Sequence, residues 1–184
     1  MHKLGIMCGV PGSGKSTWLK DKKDVLVISR DAIRFQLVKE NEEYFSKEKQ
    51  VFKTFIKTIQ DALDSNTTPH AIYVDATHVT KKSRDKLLNA LDLSNVEQIT
   101  VYVKHPLESE AIRRNAKRTG RARVPEEVIR QMYKSFERPE YDENRVFDVV
   151  YLETPEYDSY IYDAHLKNML NKYKKGDDYI DKSE

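Results

Sequence analysis

The chain has 184 residues, 32 basic and 30 acidic, so its formal charge of +2 gives no global electrostatic clue to a partner. That length suits one compact domain, and a hydrophobic fraction of 39% is enough for a core. No stretch approaches the roughly 18 consecutive apolar residues of a membrane-spanning helix, which argues against a membrane protein, and the composition argues against wholesale disorder. Met1-His2-Lys3 leads straight into a strand-like run with no signal peptide, so the expected location is cytoplasmic. The single cysteine, Cys8, excludes an internal disulfide framework and a cysteine zinc cluster; it reads as a small buried apolar filler.

Short β-rich runs alternate with stretches of helical period, the pattern of an α/β fold with a central parallel sheet flanked by helices in three layers. The strand candidates, in chain order, are residues 4–8, 25–28, 71–74, 99–103 and 147–152. All are nearly continuous apolar runs, as strands covered on both faces must be. Between the second and third, Val51, Phe52, Phe55, Ile56, Ile59, Ala62 and Leu63 recur at three- and four-residue spacing and predict a helix packed on the sheet. Leu87, Leu88 and Leu91 do the same after the third strand. The expected organisation is one domain over 1–152 with a lid at 111–137. The tail, 153–184, is expected to be helical in part and packed on the same domain.

The first strand hands over to Gly9-Val10-Pro11-Gly12-Ser13-Gly14-Lys15-Ser16, which satisfies G-x-x-x-x-G-K-[ST]. Glycines are needed because the backbone N–H groups of Gly12, Ser13 and Gly14 must turn inward around phosphate oxygens. Lys15 is placed to reach the β- and γ-phosphates, the Ser16 hydroxyl to ligate Mg²⁺, and Thr17 to meet an α-phosphate. This predicts a phosphate-loop NTPase-type fold, with ATP and Mg²⁺ as cofactors. A phosphate loop alone does not separate a kinase from a GTPase, a motor or a binding module.

The second strand runs into Ser29-Arg30-Asp31-Ala32-Ile33-Arg34, at the carboxyl edge of the sheet where open parallel sheets bind ligands. If a helix begins there, Asp31 and Arg34 share a face; the carboxylate can take a proton from an acceptor hydroxyl and the guanidinium can grip an acceptor anion. The competing reading is that Asp31 caps the helix or pairs with Arg34 at the surface. Arg30 reads as solvated. The third strand closes on Asp75, the expected organiser of the Mg²⁺ site, followed by Thr77 as an acceptor contact and His78 as a structural histidine.

From Ala111 to Val124 there are six basic residues and no acidic one. Arg114 and Arg118 lie four apart, hence on one helical face, with Gly120 beyond them; two guanidiniums so placed suit a lid closing over a triphosphate. The alternative is a solvated basic face, which is the stronger reading for Arg121 and Arg123.

In combination, Gly9 to Trp18, Ser29-Arg30-Asp31 with Arg34, Val74-Asp75-Ala76-Thr77 and Arg114-Asn115-Ala116-Lys117-Arg118, followed by Val124-Pro125 and Met132-Tyr133-Lys134-Ser135, resemble the kinase domain of phage-type polynucleotide kinase. The resemblance covers roughly residues 1 to 152. It implies transfer of the ATP γ-phosphate to 5′-hydroxyl ends of DNA or RNA. It further implies Lys15 and Ser16 as phosphate and Mg²⁺ contacts, and Asp31 as general base. Arg34 would clamp the phosphate 3′ to the attacked nucleoside, Asp75 would organise the site, and Arg114 with Arg118 would form the lid pair. The D-x-D-x-T type motif of an attached 3′-phosphatase is not found, so kinase activity without phosphatase activity is expected. His78 departs from the polar residue that related sequences tend to carry. A small-molecule kinase on the same scaffold, or a non-catalytic nucleotide-binding module, remains open at this point, as does the oligomeric state.

Overall fold

The protein is described from a computed structural model covering residues 1–140, 146 and 148–153. The tail expected at 153–184 lies, apart from Glu153, outside the described residues. In chain order the elements are β1 (His2–Cys8), α1 (Lys15–Lys20), β2 (Val25–Ser29), α2 (Arg30–Leu37), α3 (Glu48–Asp64) and β3 (Ala71–Asp75). There follow α4 (Lys81–Asn89), β4 (Val96–Lys104), α5 (Glu108–Ala116), a 3-10 turn (Gly120–Ala122), α6 (Glu126–Lys134) and β5 (Asp148–Glu153).

All pairings are parallel and the strand order is β2-β3-β1-β4-β5. β1 is therefore central, and the loop that leaves its carboxyl end opens in the middle of the sheet's edge, where such folds bind ligands. One face of the sheet, with Leu4, Ile6, Ile72, Val74, Ile99, Val101 and Val103, buries its side chains against Val51, Phe55, Ile59 and Leu63 of α3 and Leu87 and Leu88 of α4. Truncating one of these, Phe55→Ala for example, costs about 3–5 kcal/mol through lost burial and a residual cavity. On the other face Trp18 of α1 meets Tyr73 and Tyr102, with ring centroids 5.7 and 5.1 Å away. A second small core joins Val10 of the phosphate loop to Val79, Ala111 of α5 and Ile129 of α6, so these two helices rest on the loop itself.

The strands run longer than their apolar segments. β1 begins at His2, paired with Val96, and β4 extends from Val96 to Lys104. β2 and β3 each gain a polar residue, Ser29 and Asp75, which face one another in register. β5 reaches Glu153, the register partner of Lys104. Hydrophobicity marks only the part of a strand that is covered; the backbone ladder continues beyond it. Cys8 is fully buried in the core, as expected of an apolar filler.

Candidate active site

The phosphate loop is shaped by two left-handed glycines. Gly12 has φ 81° and Gly14 φ 90°, and a Cβ on Gly12 would come within 2.2 Å of the Ala111 carbonyl oxygen. Both conformation and space demand glycine here. Gly14 caps α1, and Lys15, its first residue, folds back inside the loop. There its Nζ donates to the carbonyls of Gly9 (2.7 Å) and Val10 (3.0 Å) and to Ser13 Oγ (3.4 Å). Burial pulls the ammonium below its ordinary pKa. The carboxylates of Asp75 and Asp31 and the sulfur of Cys8 oppose that shift, and the guanidinium of Arg118 adds to it. Residues from four separate segments thus converge electrostatically on one cation.

Ser16 Oγ donates to Asp75 Oδ2 at 2.9 Å. Register places Asp75 beside Ser29, so the third strand delivers its carboxylate to the N-terminus of α1. A hydroxyl and a carboxylate in contact are the donor set a Mg²⁺ ion accepts when phosphate oxygens and water complete its octahedron. Among the described residues no group of three or more acidic, histidine or cysteine side chains is placed to hold a metal. Thr17 is exposed next to Ser16 at the loop's mouth. Half-buried Thr77 uses its carbonyl to accept from Gly9 N–H at 2.8 Å, tying the loop's start to the end of the third strand.

Ser29, and not Asp31, caps α2: its side chain accepts from Ala32 N–H at 3.3 Å. The helix begins at Arg30, which leaves the Asp31 side chain 61% exposed beyond the cap. Arg34 Nη1 is hydrogen-bonded to Asp31 Oδ1, and Tyr44 Oη donates to the same oxygen at 3.1 Å. Burial and then the Asp31 charge push the Tyr44 phenol above its ordinary pKa, so it stays a donor. The Arg34 side chain is only 7% exposed. Its Nη2 donates to Glu48 Oε2 (2.9 Å), its Nη1 to Tyr44 Oη (3.1 Å), and its Nε is buried with no hydrogen-bond partner among the described residues. Arg34 is therefore held from beneath by Glu48 and presents Asp31 from below.

The segment expected to form a lid differs from expectation in three ways. First, α5 ends at Ala116, so Arg118 lies beyond the helix and does not stack above Arg114; its Nη1 donates to Ala122 O at 3.4 Å. The reciprocal bonds of buried Asn115 with Val124, at 2.7 and 3.1 Å, hold the loop that follows. Second, Arg114 is not an unpartnered cation. It donates to Glu110 Oε1 (2.6 Å), to the Ser13 carbonyl (3.3 Å) and to Glu153 Oε1 (3.0 Å), the last of which also has its other oxygen 2.9 Å from Lys104 Nζ. Burial would raise the Glu153 pKa, but the bonds from Arg114 and Lys104 hold it below the usual range. Third, Arg121 is not solvated. Its guanidinium reaches the Val38 carbonyl at 2.5 Å and the Phe35 carbonyl at 3.5 Å and lies 4.8 Å from the Phe35 ring, linking the lid to the C-terminal end of α2. Arg30 is likewise paired, with Glu48, and sits 5.5 Å from the Phe52 ring.

Sequence reasoning missed Tyr44, Glu48, Lys104, Glu153 and the docking of Arg121. Lys104 and Glu153 are the last residues of β4 and β5. Extending each strand by one residue would have placed them on the edge that carries the phosphate loop. Tyr44 and Glu48 lie between and at the start of helices, with no local signal of their role.

A parallel five-stranded sheet flanked by helices, with a G-x-x-x-x-G-K-S loop on its central strand and an acidic residue ending β3, is the architecture of a phosphate-loop kinase. Residues 4–139 match the family described as an AAA domain, and the chain belongs to that family. The relatives include L-seryl-tRNA(Sec) kinase of Methanococcus maripaludis, 31% identical over 146 residues that make up 74% of this chain and 53% of that protein. A protein of Autographa californica nuclear polyhedrosis virus named "Putative bifunctional polynucleotide kinase/RNA ligase" is 29% identical over 73% of this chain and 21% of its own length. The chain thus spans about half or less of these relatives. Among solved structures, the Pnkp1/Rnl/Hen1 RNA repair complex superposes with a TM-score of 0.61 and 23% identity, over 73% of this chain and 43% of that one. This likeness bears on the fold alone. Kinases of this class use ATP and typically Mg²⁺. Among the described residues no helix is long and apolar enough to cross a membrane.

Proposed function

We propose that the protein is a polynucleotide 5′-hydroxyl kinase, which transfers the γ-phosphate of ATP to 5′-hydroxyl ends of DNA or RNA. The observation that carries this reading is Asp31. Its carboxylate is exposed, fixed by Arg34 and Tyr44, and near enough to Lys15 for its charge to be felt there. A nucleotide-gated module has no use for such a group, whereas hydroxyl phosphorylation needs one.

In this reading the backbone of Gly12, Ser13 and Gly14 and the side chains of Lys15 and Thr17 hold the phosphates. Lys15 exchanges its loop carbonyls for phosphate oxygens. Ser16 and Asp75 would hold Mg²⁺, which would supply positive charge to offset that of the phosphates. Asp31 accepts the proton of the acceptor hydroxyl as that oxygen forms a bond to the γ-phosphorus; the bond from phosphorus to the bridging oxygen breaks, and ADP leaves with the electron pair. Arg114 and Arg118 balance the transferring charge from the lid. Thr77 lines the acceptor side. Arg34 orients Asp31, and clamping an acceptor phosphate requires it to give up Glu48 or Asp31.

The viral relative named for polynucleotide kinase activity supports this acceptor, and the seryl-tRNA kinase supports a second reading, a hydroxyl carried on tRNA. Label transfer from ATP to matched 5′-hydroxyl DNA and RNA oligonucleotides, a 3′-phosphorylated control, free nucleosides and seryl-tRNA decides between them. Transfer to oligonucleotides, lost by at least about a hundredfold in Asp31→Asn with ATP binding retained, is the expected result. Transfer only to seryl-tRNA or free nucleosides rejects the proposal, and near-normal turnover in Asp31→Asn removes the base.

A further inference from the structure

Phe45 is an apolar ring left 56% exposed at the edge of the candidate site. Its surroundings are ordered. The ring stands edge-on to Tyr44, with centroids 4.8 Å apart at 87°, and Tyr44 is the residue whose hydroxyl touches Asp31. The Arg34 guanidinium lies 4.7 Å from the Tyr44 centroid and 5.7 Å from that of Phe45, and Phe35 closes the row 6.3 Å from Tyr44. The turn that carries Phe45 is braced at both ends. Lys47 Nζ donates to the Leu37 carbonyl and to Glu42 Oε2, each at 2.8 Å, and Glu42 accepts in turn from Lys39 N–H at 2.8 Å.

Leaving a large apolar ring in water has no folding benefit, and bracing it costs chain entropy. A ring held with a free face, one residue from the group that presents Asp31, suits a planar partner carried by the acceptor. Base–aromatic stacking is tolerant of sequence because every base has a π-face, and an adjacent guanidinium strengthens it. A bare sugar or serine acceptor offers no such plane.

We infer that Phe45 is the stacking platform for the terminal base of the acceptor and contributes binding energy that retains the nucleoside beside Asp31. This rests on the polynucleotide kinase reading above. The platform is sequence-tolerant and reads only the presence of a base; choice between DNA and RNA must come from elsewhere.

The test is steady-state phosphorylation of a 5′-hydroxyl oligonucleotide and of the same oligonucleotide with an abasic 5′-terminal residue, by wild type, Phe45→Ala and Phe45→Trp. Phe45→Ala is expected to raise KM for the normal acceptor about tenfold, within the range that loss of one stack covers, while saturating kcat and the KM for ATP hold. On the abasic acceptor, already weak with wild type, the same variant should change nothing, and Phe45→Trp should restore use of the normal acceptor. An equal penalty on both acceptors, or none on either, overturns the platform while leaving the kinase reading intact. Absence of oligonucleotide phosphorylation by wild type overturns both. Thermal unfolding of Phe45→Ala should match wild type, since the ring is exposed; a large loss of stability means that it serves the fold instead.

Discussion

Acidification should destabilise this protein through its buried imidazoles, and His78 lets one of them be isolated. His78 is 4% exposed, with Nδ1 3.2 Å from the Met7 carbonyl. Burial, opposed by that hydrogen bond and aided by the charges of Arg30, Lys15 and Arg84, lowers its pKa from 6.5 to about 4. In the unfolded chain the ring protonates near pH 6.5; in the folded protein it resists until about pH 4. The unfolded state therefore binds more protons within that window, and stability rises with pH across it. The contribution is complete above about pH 6.5 and has fallen by about 3 kcal/mol at pH 4, at roughly 1.4 kcal/mol per pKa unit. That is a large part of the 5–15 kcal/mol typical of a domain. The variant to compare is His78→Asn: the residue has φ 41°, a left-handed conformation that asparagine tolerates, and an amide can still donate to Met7. Urea unfolding at a series of pH values between about 7 and 4 should show wild type losing about 3 kcal/mol more than the variant. His105, stacked on Phe136 at 3.9 Å and also lowered to about 4 by burial and by Arg138, adds the same slope to both proteins. Parallel stability curves for wild type and variant would refute the reasoning.

Three further outcomes follow from the site. Tyr44→Phe deletes the donor on Asp31 while keeping the ring, so kcat should fall about fivefold, as loss of roughly 1 kcal/mol implies, with the KM for ATP unchanged; an unaltered kcat detaches Tyr44 from Asp31's role. Arg121→Ala frees the lid from α2, and amides in residues 117–124 should exchange with solvent about tenfold faster, since two bonds to carbonyls and a ring contact go together; unchanged exchange shows that the link holds nothing. Glu153→Gln leaves Lys104 and Arg114 without their shared carboxylate, so the loop becomes more positive and ATP should bind about threefold more tightly in calorimetry, an effect that fades with salt. Weaker binding would mean that Glu153 positions Arg114 more than it neutralises it.

What the linear chain determined is what neighbours in sequence can build. The phosphate loop is one contiguous segment whose glycines and lysine dictate their own geometry, and the apolar runs of β1 to β5 announce a buried parallel sheet without knowledge of their order. Asp31 and Asp75 were legible because a polar residue closing such a run sits at the sheet's carboxyl edge whichever strands flank it. What only the tertiary structure decided is the partner of each charge. Ser29 takes the cap and releases Asp31; Glu48, fourteen positions on, claims Arg34 and Arg30; Glu153 reaches Arg114 and Lys104 from the far end of the sheet; Arg121 crosses to α2. A charged side chain has the same local signature whether it faces water, phosphate or another residue. Hydrogen bonds need contact within a few ångströms and exposed charges are screened over about 10 Å, so the meaning of a charge is set by which elements the packing of the core brings alongside it.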